Sequence, residues 1–528
     1  MESIYEACLP PVKATGCQTV SMDDYLQRIL RARVYDVARE SPLEPATNLS
    51  RRLNNHVWLK REDLQPVFSF KLRGAYNRMA QLSDDERSRG VIASSAGNHA
   101  QGVALSAAHL KCRAVIVMPI TTPSVKVEAV RQLGGEVILH GETYDEAYAE
   151  ARRRSEQEGL CFIHPFDDPE VIAGQGTVGM EILRQSQQPP DAIYVAIGGG
   201  GLIGGVAAYV KSLWPDIEVI GVEPHDAAAM TLSLEAGERI RLPQVGLFAD
   251  GVAVREVGEH TFRLAQKYVD AIVTVSTDEI CASIKDVFED TRSILEPAGA
   301  LAVAGLKADV SRRQLKNKQL VAIACGANMN FNRLRFVAER AELGEEREAM
   351  LAVQIPEQPG SLRKLSELLQ KRSLTEFSYR MGAGDQAHIF MGIQVKDVQD
   401  RSDLLASLRS NGYECLDLSD DELAKVHLRH MVGGRLPQKS EEPTQELLYR
   451  FEFPERPGAL MRFVNALHSN WSISIFHYRN HGADVGRIVV GVLVSPNDLE
   501  SWQGVLKDLG YPSWEETSNP AYRIFLGP

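Results

Sequence analysis

Lys71 stands inside the stretch SFKLRGAY, residues 69–76. A lysine amine that loses its proton is a nucleophile, a base and a partner for carbonyl groups. A lone lysine in a polar turn is otherwise a solvated charge. Three other stretches bear on it. SSAGNHAQG, residues 94–102, follows the strand-like GVIA. A turn from strand to helix with small residues and Asn98 exposes backbone N–H groups and a helix N-terminus, which suits a carboxylate or phosphate. An ordinary capped turn would look the same. GGGGL, Gly198, Gly199, Gly200, Gly201 and Leu202, follows YVAI. Four glycines let the backbone approach an anion with no side chain between. The run is not G-x-x-x-x-G-K-[ST], so a nucleotide P-loop is not expected. Cys325 opens CGAN at the end of another apolar run; a lone cysteine there is either a buried apolar residue or a weak thiol donor.

These residues need a frame that brings them together. From about Tyr25 to Leu343, apolar runs alternate with stretches of helix length. RAVIVMP (113–119), EVILHG (136–141), AIYVAIGGGG (192–201), EVIGVEP (218–224) and QLVAIACGAN (319–328) read as buried strands. Near-continuous Val/Ile runs suit parallel strands covered on both faces. The expected class is α/β with parallel sheets, and ligands in such sheets sit beyond the carboxyl ends of the strands. The stretch AERAELGEEREAM (338–350) reads as a charged, helix-forming junction.

An internal repeat follows. IPEQPGSL (355–362) returns as FPERPGAL (453–460), TEFSYR (375–380) as SIFHYR (474–479), MGIQV (391–395) as VGVLV (490–494), and NGYE (411–414) as LGYP (509–512). Order and spacing hold across all four blocks, which marks a duplicated module. Each copy has the order strand, helix, strand, strand, helix, strand of a ferredoxin-like α+β unit. Leu362, Leu365 and Leu369 share a face of the first helix of one copy; Leu460, Phe463 and Leu467 do so in the other. The Pro-Gly pairs at 359–360 and 457–458 mark the strand-to-helix turn. The expected partition is 1–345, 346–436 and 444–528.

The totals agree with a soluble globular protein. The chain has 528 residues, 44% apolar and 24% charged, with a formal net charge of -12. That length implies roughly two to four domains. The acidic balance argues against a nucleic-acid partner. No apolar run approaches the roughly 20 residues of a membrane helix. The first twenty residues carry neither an apolar core nor an Arg-rich pattern, so no targeting segment is expected there. The seven cysteines are scattered without C-x-x-C spacing. Neither a disulfide framework nor a zinc site is expected, and a reducing cytoplasm fits.

Taken together and in order, LKREDLQPVFSFKLRGAY, SSAGNHAQG, GGGGL, EPAGA (296–300) and the paired ACT-like repeat resemble the fold-type II pyridoxal-phosphate enzymes, tryptophan synthase β-like in fold, and within them the biosynthetic threonine deaminases. The resemblance covers all but the first twenty or so residues. It implies that Lys71 forms the Schiff base with pyridoxal phosphate and that Phe70 packs beside the ring. Asn98 would bond the ring's 3-hydroxyl, and Gly198, Gly199, Gly200, Gly201 and Leu202 would hold the phosphate. Cys325 would face the pyridine nitrogen, and Ser95 with Asn98 the substrate carboxylate. L-threonine, with L-serine as a second substrate, would lose its β-hydroxyl and end as a 2-oxo acid and ammonia. Lys71 would serve as the base at Cα. A thiol at the ring nitrogen, in place of a carboxylate, should favour elimination over transamination.

The related serine racemases carry a second serine in the Asn98 loop, and here that position is Ala96. Racemisation is therefore not expected. They also bind a divalent metal after a VEP segment; here Glu223 is present, Ala229 stands at the acid's position and Asp226 has the wrong spacing, so no metal site is expected. The resemblance implies feedback inhibition by isoleucine, relief by valine and a homotetramer. Phe377, Tyr379, Phe476 and Tyr478 are the candidate effector residues, although strand aromatics of this kind also build cores. A β-replacement synthase and a non-catalytic amino-acid sensor are the competing readings. The repeat argues against the first. The retained Lys71, Asn98 and tetraglycine run argue against the second.

Overall fold

In the computed structural model the described residues are 24–356, 374–380, 386–428, 445–454, 471–479 and 485–525, with a few positions between 364 and 372 and residue 466. Two sheets form the first part. Six strands lie in the order Leu43–Pro45, His56–Arg61, Gln319–Ala324, Ala192–Ala196, Glu218–Pro224, Ala271–Val275. All neighbours pair in parallel except the first pair. A smaller parallel sheet runs Glu136–Leu139, Ala114–Met118, Val91–Ser94, Cys161–Phe162. Central strands such as Ala114–Met118 and Ala192–Ala196 are buried at every position, as their uninterrupted Val/Ile/Ala sequences require when helices cover both faces. Glu136–Leu139 departs from that expectation. It is the edge strand, and its two outer residues are exposed.

The helix Lys71–Ala80 packs directly on Pro169–Gln185. Two glycines permit the approach: a Cβ on Gly174 would lie 2.7 Å from both the Arg73 carbonyl oxygen and Gly74 Cα. At this crossing Arg73 is completely buried. Its guanidinium donates to both oxygens of Glu62 at 2.8 Å and to Glu181 at 2.6 and 2.9 Å. Lys60, equally buried, donates to Glu181 at 2.6 Å. Two cations thus meet two carboxylates with the polar atoms bonded, the condition under which buried charge is tolerated.

The repeat appears twice as an antiparallel sheet. One copy orders its strands Leu374–Arg380, Gln386–Gln394, Glu348–Pro356, Glu414–Asp417; the other Ser472–Arg479, Val485–Val494, Gln445–Pro454, Ser513–Glu515. Numbered within a copy this is 2-3-1-4, the ferredoxin-like order. A register shift falls at Leu374/Glu376 in one copy and at Ile473/Ile475 in the other, equivalent places in the repeat. Leu365 and Leu369 are buried as expected; Leu362, Leu460, Phe463, Leu467 and both Pro-Gly pairs lie outside the described residues. The copies share a core in which Met350, Phe390 and Leu418 meet Leu448, Val489 and Phe525.

The junction is shorter than its charge pattern suggested. The helix Arg333–Gly344 stops, Glu346 takes a left-handed φ of 58°, and Glu348–Met350 already belong to a strand. Ala349 and Met350 are fully buried there, so packing outweighed helix propensity.

Burial pushes the Glu181 carboxyl up, but Arg73 and Lys60 outweigh it and hold its pKa below the ordinary 4.5. Its contribution is therefore present above that pH and fades as acid protonates it. Glu181→Ala should cost about 3–5 kcal/mol in denaturant unfolding, because it strands buried cations. A loss under about 1 kcal/mol would show that the network holds nothing in place.

Candidate active site

Lys71 opens its helix, and the segment before it is stitched to the CGAN turn. Ser69 bridges Gly326, Phe70 N–H donates to the Cys325 carbonyl at 3.3 Å, and Ala327 N–H donates to the Phe68 carbonyl at 2.9 Å. Sequence-distant residues are thereby placed side by side. Lys71 Nζ donates to the Pro165 carbonyl at 3.0 Å and lies 5.3 Å from the centre of the Phe70 ring. Its amine reaches a cavity, yet dense surroundings depress its pKa to about 8. Burial disfavours the ammonium form, which makes the neutral nucleophile accessible near neutrality.

Asn98 begins the helix Asn98–Leu110, and Gly97 before it supplies no side-chain cap. Among the described residues the first-turn amides are left without a cap, as an anion cradle needs and an ordinary capped turn does not. Ser95 Oγ accepts from Gly97 N–H at 3.2 Å. The Asn98 side chain is held at both ends. Its Oδ1 accepts from Asn328 Nδ2 at 2.6 Å, and its Nδ2 donates to Glu296 Oε1 at 2.5 Å. Asn328 Nδ2 also donates to the Val67 carbonyl at 2.8 Å. An amide nitrogen can only donate, so Asn98 must turn its oxygen to Asn328 and its nitrogen to Glu296. Burial, with Asp250 nearby, pushes Glu296 up to about 7, against the pull of the Asn98 bond.

The glycine run leads into the helix Gly201–Leu213, and Gly200 takes a φ of 92° that favours glycine. The Gly199 carbonyl is taken by the Thr261 hydroxyl at 2.6 Å and by Gly258 N–H at 3.5 Å. Among the described residues the amides of Gly198, Gly199 and Gly200 have no backbone carbonyl partner. A Cβ on Gly199 would sit 2.2 Å from the Phe166 ring, and one on Gly198 2.9 Å from Val252 Cα. Open amides at a helix N-terminus, with no room for side chains, fit a phosphate group. Cys325 Sγ donates to the Ala298 carbonyl at 3.2 Å, and burial, then Glu296, push the thiol far up. It remains a protonated thiol whose hydrogen is already committed.

Phe70, Lys71, Ser95, Asn98, Gly198–Gly201, Leu202 and Cys325 line one cavity of about 2040 Å³ between the two parallel sheets. Ala96 lies on the same wall. Glu296 and Asn328 also face it; in sequence they stand within EPAGA and CGAN, and neither motif gives them a task. Asp250 and Lys126, joined at 2.7 Å on the same wall, had no sequence signal at all. Glu223 lies elsewhere, its carboxylate accepting from the Met230 and Thr231 amides and the Thr231 hydroxyl. Phe377 and Tyr379 fall opposite Met391 and Ile389, and Phe476 and Tyr478 opposite Val490 and Ile488; their side chains lie outside the described residues.

Residues 34–326 match the model of the pyridoxal-phosphate dependent enzymes, and residues 339–428 and 438–526 that of the C-terminal regulatory domain of threonine dehydratase. The chain is 59% identical over 506 residues to the "L-threonine dehydratase biosynthetic IlvA" of Burkholderia multivorans, covering 95% of this chain and 99% of that one. It is 51% identical to the protein of that name from Escherichia coli, covering 95% and 97%. Among solved structures, the processed form of threonine deaminase isoform 2 from Solanum lycopersicum aligns with a TM-score of 0.60 at 53% identity, over 64% of this chain and 99% of that one. Maize serine racemase aligns with a TM-score of 0.56 at 32% identity, over 59% and 96%.

Only the neutral amine can condense with an aldehyde. Capture of pyridoxal phosphate by the cofactor-free chain should therefore rise with pH around a midpoint of about 8, followed by the absorbance of the linked cofactor. A midpoint near the ordinary 10.5 would mean Lys71 is not desolvated as described.

Proposed function

This chain belongs to the biosynthetic threonine dehydratases, and from that premise we propose a task for each of its cavity residues. The enzyme is a pyridoxal-phosphate-dependent lyase that deaminates L-threonine to 2-oxobutanoate and ammonia in isoleucine biosynthesis, under allosteric control. When bound, pyridoxal phosphate supplies an electron sink for the bond broken at Cα.

Lys71 would hold the cofactor through its amine and, when free, would serve as the base for the Cα proton. The depressed pKa suits both tasks. Gly198–Gly201 and Leu202 hold the phosphate at the helix N-terminus. Asn98, its nitrogen aimed by Asn328 and Glu296, meets the ring's 3-oxygen. Phe70 supports the ring. Ser95 and the open amides of the Asn98 turn receive the substrate carboxylate. Ala96 has no proton to give from the opposite face, so elimination proceeds without racemisation. Cys325 directs its S–H to Ala298, so it offers the ring nitrogen no proton. The observation that carries this reading is the convergence of these residues on one cavity from five distant segments.

The duplicated tail is the regulatory device, with isoleucine as inhibitor and valine opposing it. Isoleucine must then bind the less active state more tightly. Phe377, Tyr379, Phe476 and Tyr478 are proposed for the effector pocket. The same reading takes 1–345 as the catalytic domain, 346–436 and 444–528 as the regulatory pair, and a homotetramer as the assembly. L-serine is a second substrate. The five free cysteines among the described residues, Cys112, Cys161, Cys281, Cys325 and Cys415, favour the cytoplasm. No helix among those residues is long and apolar enough to cross a membrane.

Formation of 2-oxobutanoate from L-threonine should fall sigmoidally as isoleucine is titrated in. Activity indifferent to isoleucine would remove the effector assignment and leave the lyase. Cys325→Asp should raise transamination relative to elimination, read as cofactor converted to its amine form per turnover; an unchanged ratio would sink the role given to the thiol.

A further inference from the structure

The helix Arg333–Gly344 touches both halves of the molecule. At its start Arg333, 5% exposed, donates through Nη1 to the Phe248 carbonyl at 3.1 Å and lies 3.3 Å from Asp250 Oδ1. Asp250 Oδ2 accepts from Lys126 Nζ at 2.7 Å. Lys126 belongs to the helix Ser124–Gln132 beside the smaller sheet. One carboxylate therefore ties the smaller sheet's unit to the helix that leads into the tail.

The turn Asp250–Val252 adjoins the cofactor end of the cavity. Val252 closes on Gly198, and an added Cβ on Gly251 would lie 3.9 Å from Glu296 Oε1. Movement of this turn is therefore felt by the phosphate loop and by the carboxyl that aims Asn98.

The later turns of the same helix face the tail. Phe336 packs against Phe248 at 5.1 Å between ring centres and lies 5.0 Å from the Arg487 guanidinium. Arg340 donates to both oxygens of Glu422, at 3.0 and 2.8 Å, and to Asp278. Lys425 adds a bond to Asp278 at 2.6 Å. Arg487 lies 3.5 Å from Glu422 and 3.4 Å from Glu452. Glu422 is in the first regulatory copy, Arg487 and Glu452 in the second. Positions 333, 336 and 340 share one helix face. A shift in either copy can thus reach Arg333 through one rigid element.

We infer that Arg333 is a positioning residue of the cofactor site, and the contact through which the C-terminal pair acts on it. The inference rests on the isoleucine reading above. Its guanidinium fixes the Phe248 carbonyl and the Asp250 carboxylate together. A displaced helix lets the Asp250 turn, and with it the wall of the phosphate loop, relax. Coupling of this kind is a difference between two states of one element, and it is reciprocal for binding.

The test uses the full-length, cofactor-loaded enzyme with Arg333→Met and Arg333→Lys. Isoleucine binding by calorimetry should stay within threefold of the parent in both. In Arg333→Met the ratio of activity without and with saturating isoleucine should fall at least tenfold, and the isoleucine-induced change in cofactor fluorescence should vanish. Arg333→Lys, which keeps the charge but has a shorter reach to the two acceptors that Nη1 meets, should restore part of both. Full inhibition with the fluorescence change intact in a folded Arg333→Met would overturn the inference. So would loss of isoleucine binding itself. If Arg333→Met does not fold, Arg487→Met decides from the tail side, and undiminished coupling there would be equally fatal. A parent chain that binds no isoleucine would sink the feedback reading and this inference with it, and calorimetry tells that failure apart from the others.

Discussion

The burial of Arg73 is the constraint on which the catalytic half depends. Its guanidinium is shared between Glu62, just beyond one sheet strand, and Glu181, on the helix crossing behind. A planar five-donor group can bond both oxygens of two carboxylates at once, four bonds where a lysine has only three donors. Because the charges cannot be left unpaired in so dry a place, the helix bearing Arg73 has little freedom to slide or turn. Lys71 lies two residues earlier on that helix. The position of the Lys71 amine is thus decided behind the cavity, and the cavity wall itself is left free for other contacts.

The same economy of charge appears inside the cavity. Desolvation moves Lys71 down and Glu296 up, so both titrate near neutrality. Asn98 bonds Glu296 as a neutral group whose two ends are told apart by Asn328 and Glu296. The glycine-run end of the cavity presents backbone amides and a helix N-terminus. Glycine matters there because Phe166 and Val252 already fill the space a side chain would take.

The tail meets the catalytic half through a charged seam of Arg340, Asp278, Glu422 and Lys425 and an aromatic step at Phe336. The cavity reaches it directly, since Glu452, Arg487 and Trp514 line its outer end. The two copies share a hydrophobic core.

Sequence alone determined the parallel α/β class, the duplicated ferredoxin-like tail and the candidate cofactor residues. Each rests on a local signal: uninterrupted apolar runs, a repeated block order, or glycine and small residues where backbone must meet an anion. Local signals failed at two edges. Glu136–Leu139 reads as buried but lies at a sheet margin, because sequence does not say which strand ends a sheet. Residues 348–350 read as helix but pair as strand, because partners from Gly392 to Gln394 claim them. Tertiary structure decided everything that depends on partners far along the chain. Only there does Asn98 gain Asn328 and Glu296, Cys325 find the Ala298 carbonyl, and Asp250 stand between Lys126 and Arg333. Such pairs leave no periodicity in a single sequence, since a hydrogen bond or ion pair is specified by distance in space and not by spacing along the backbone.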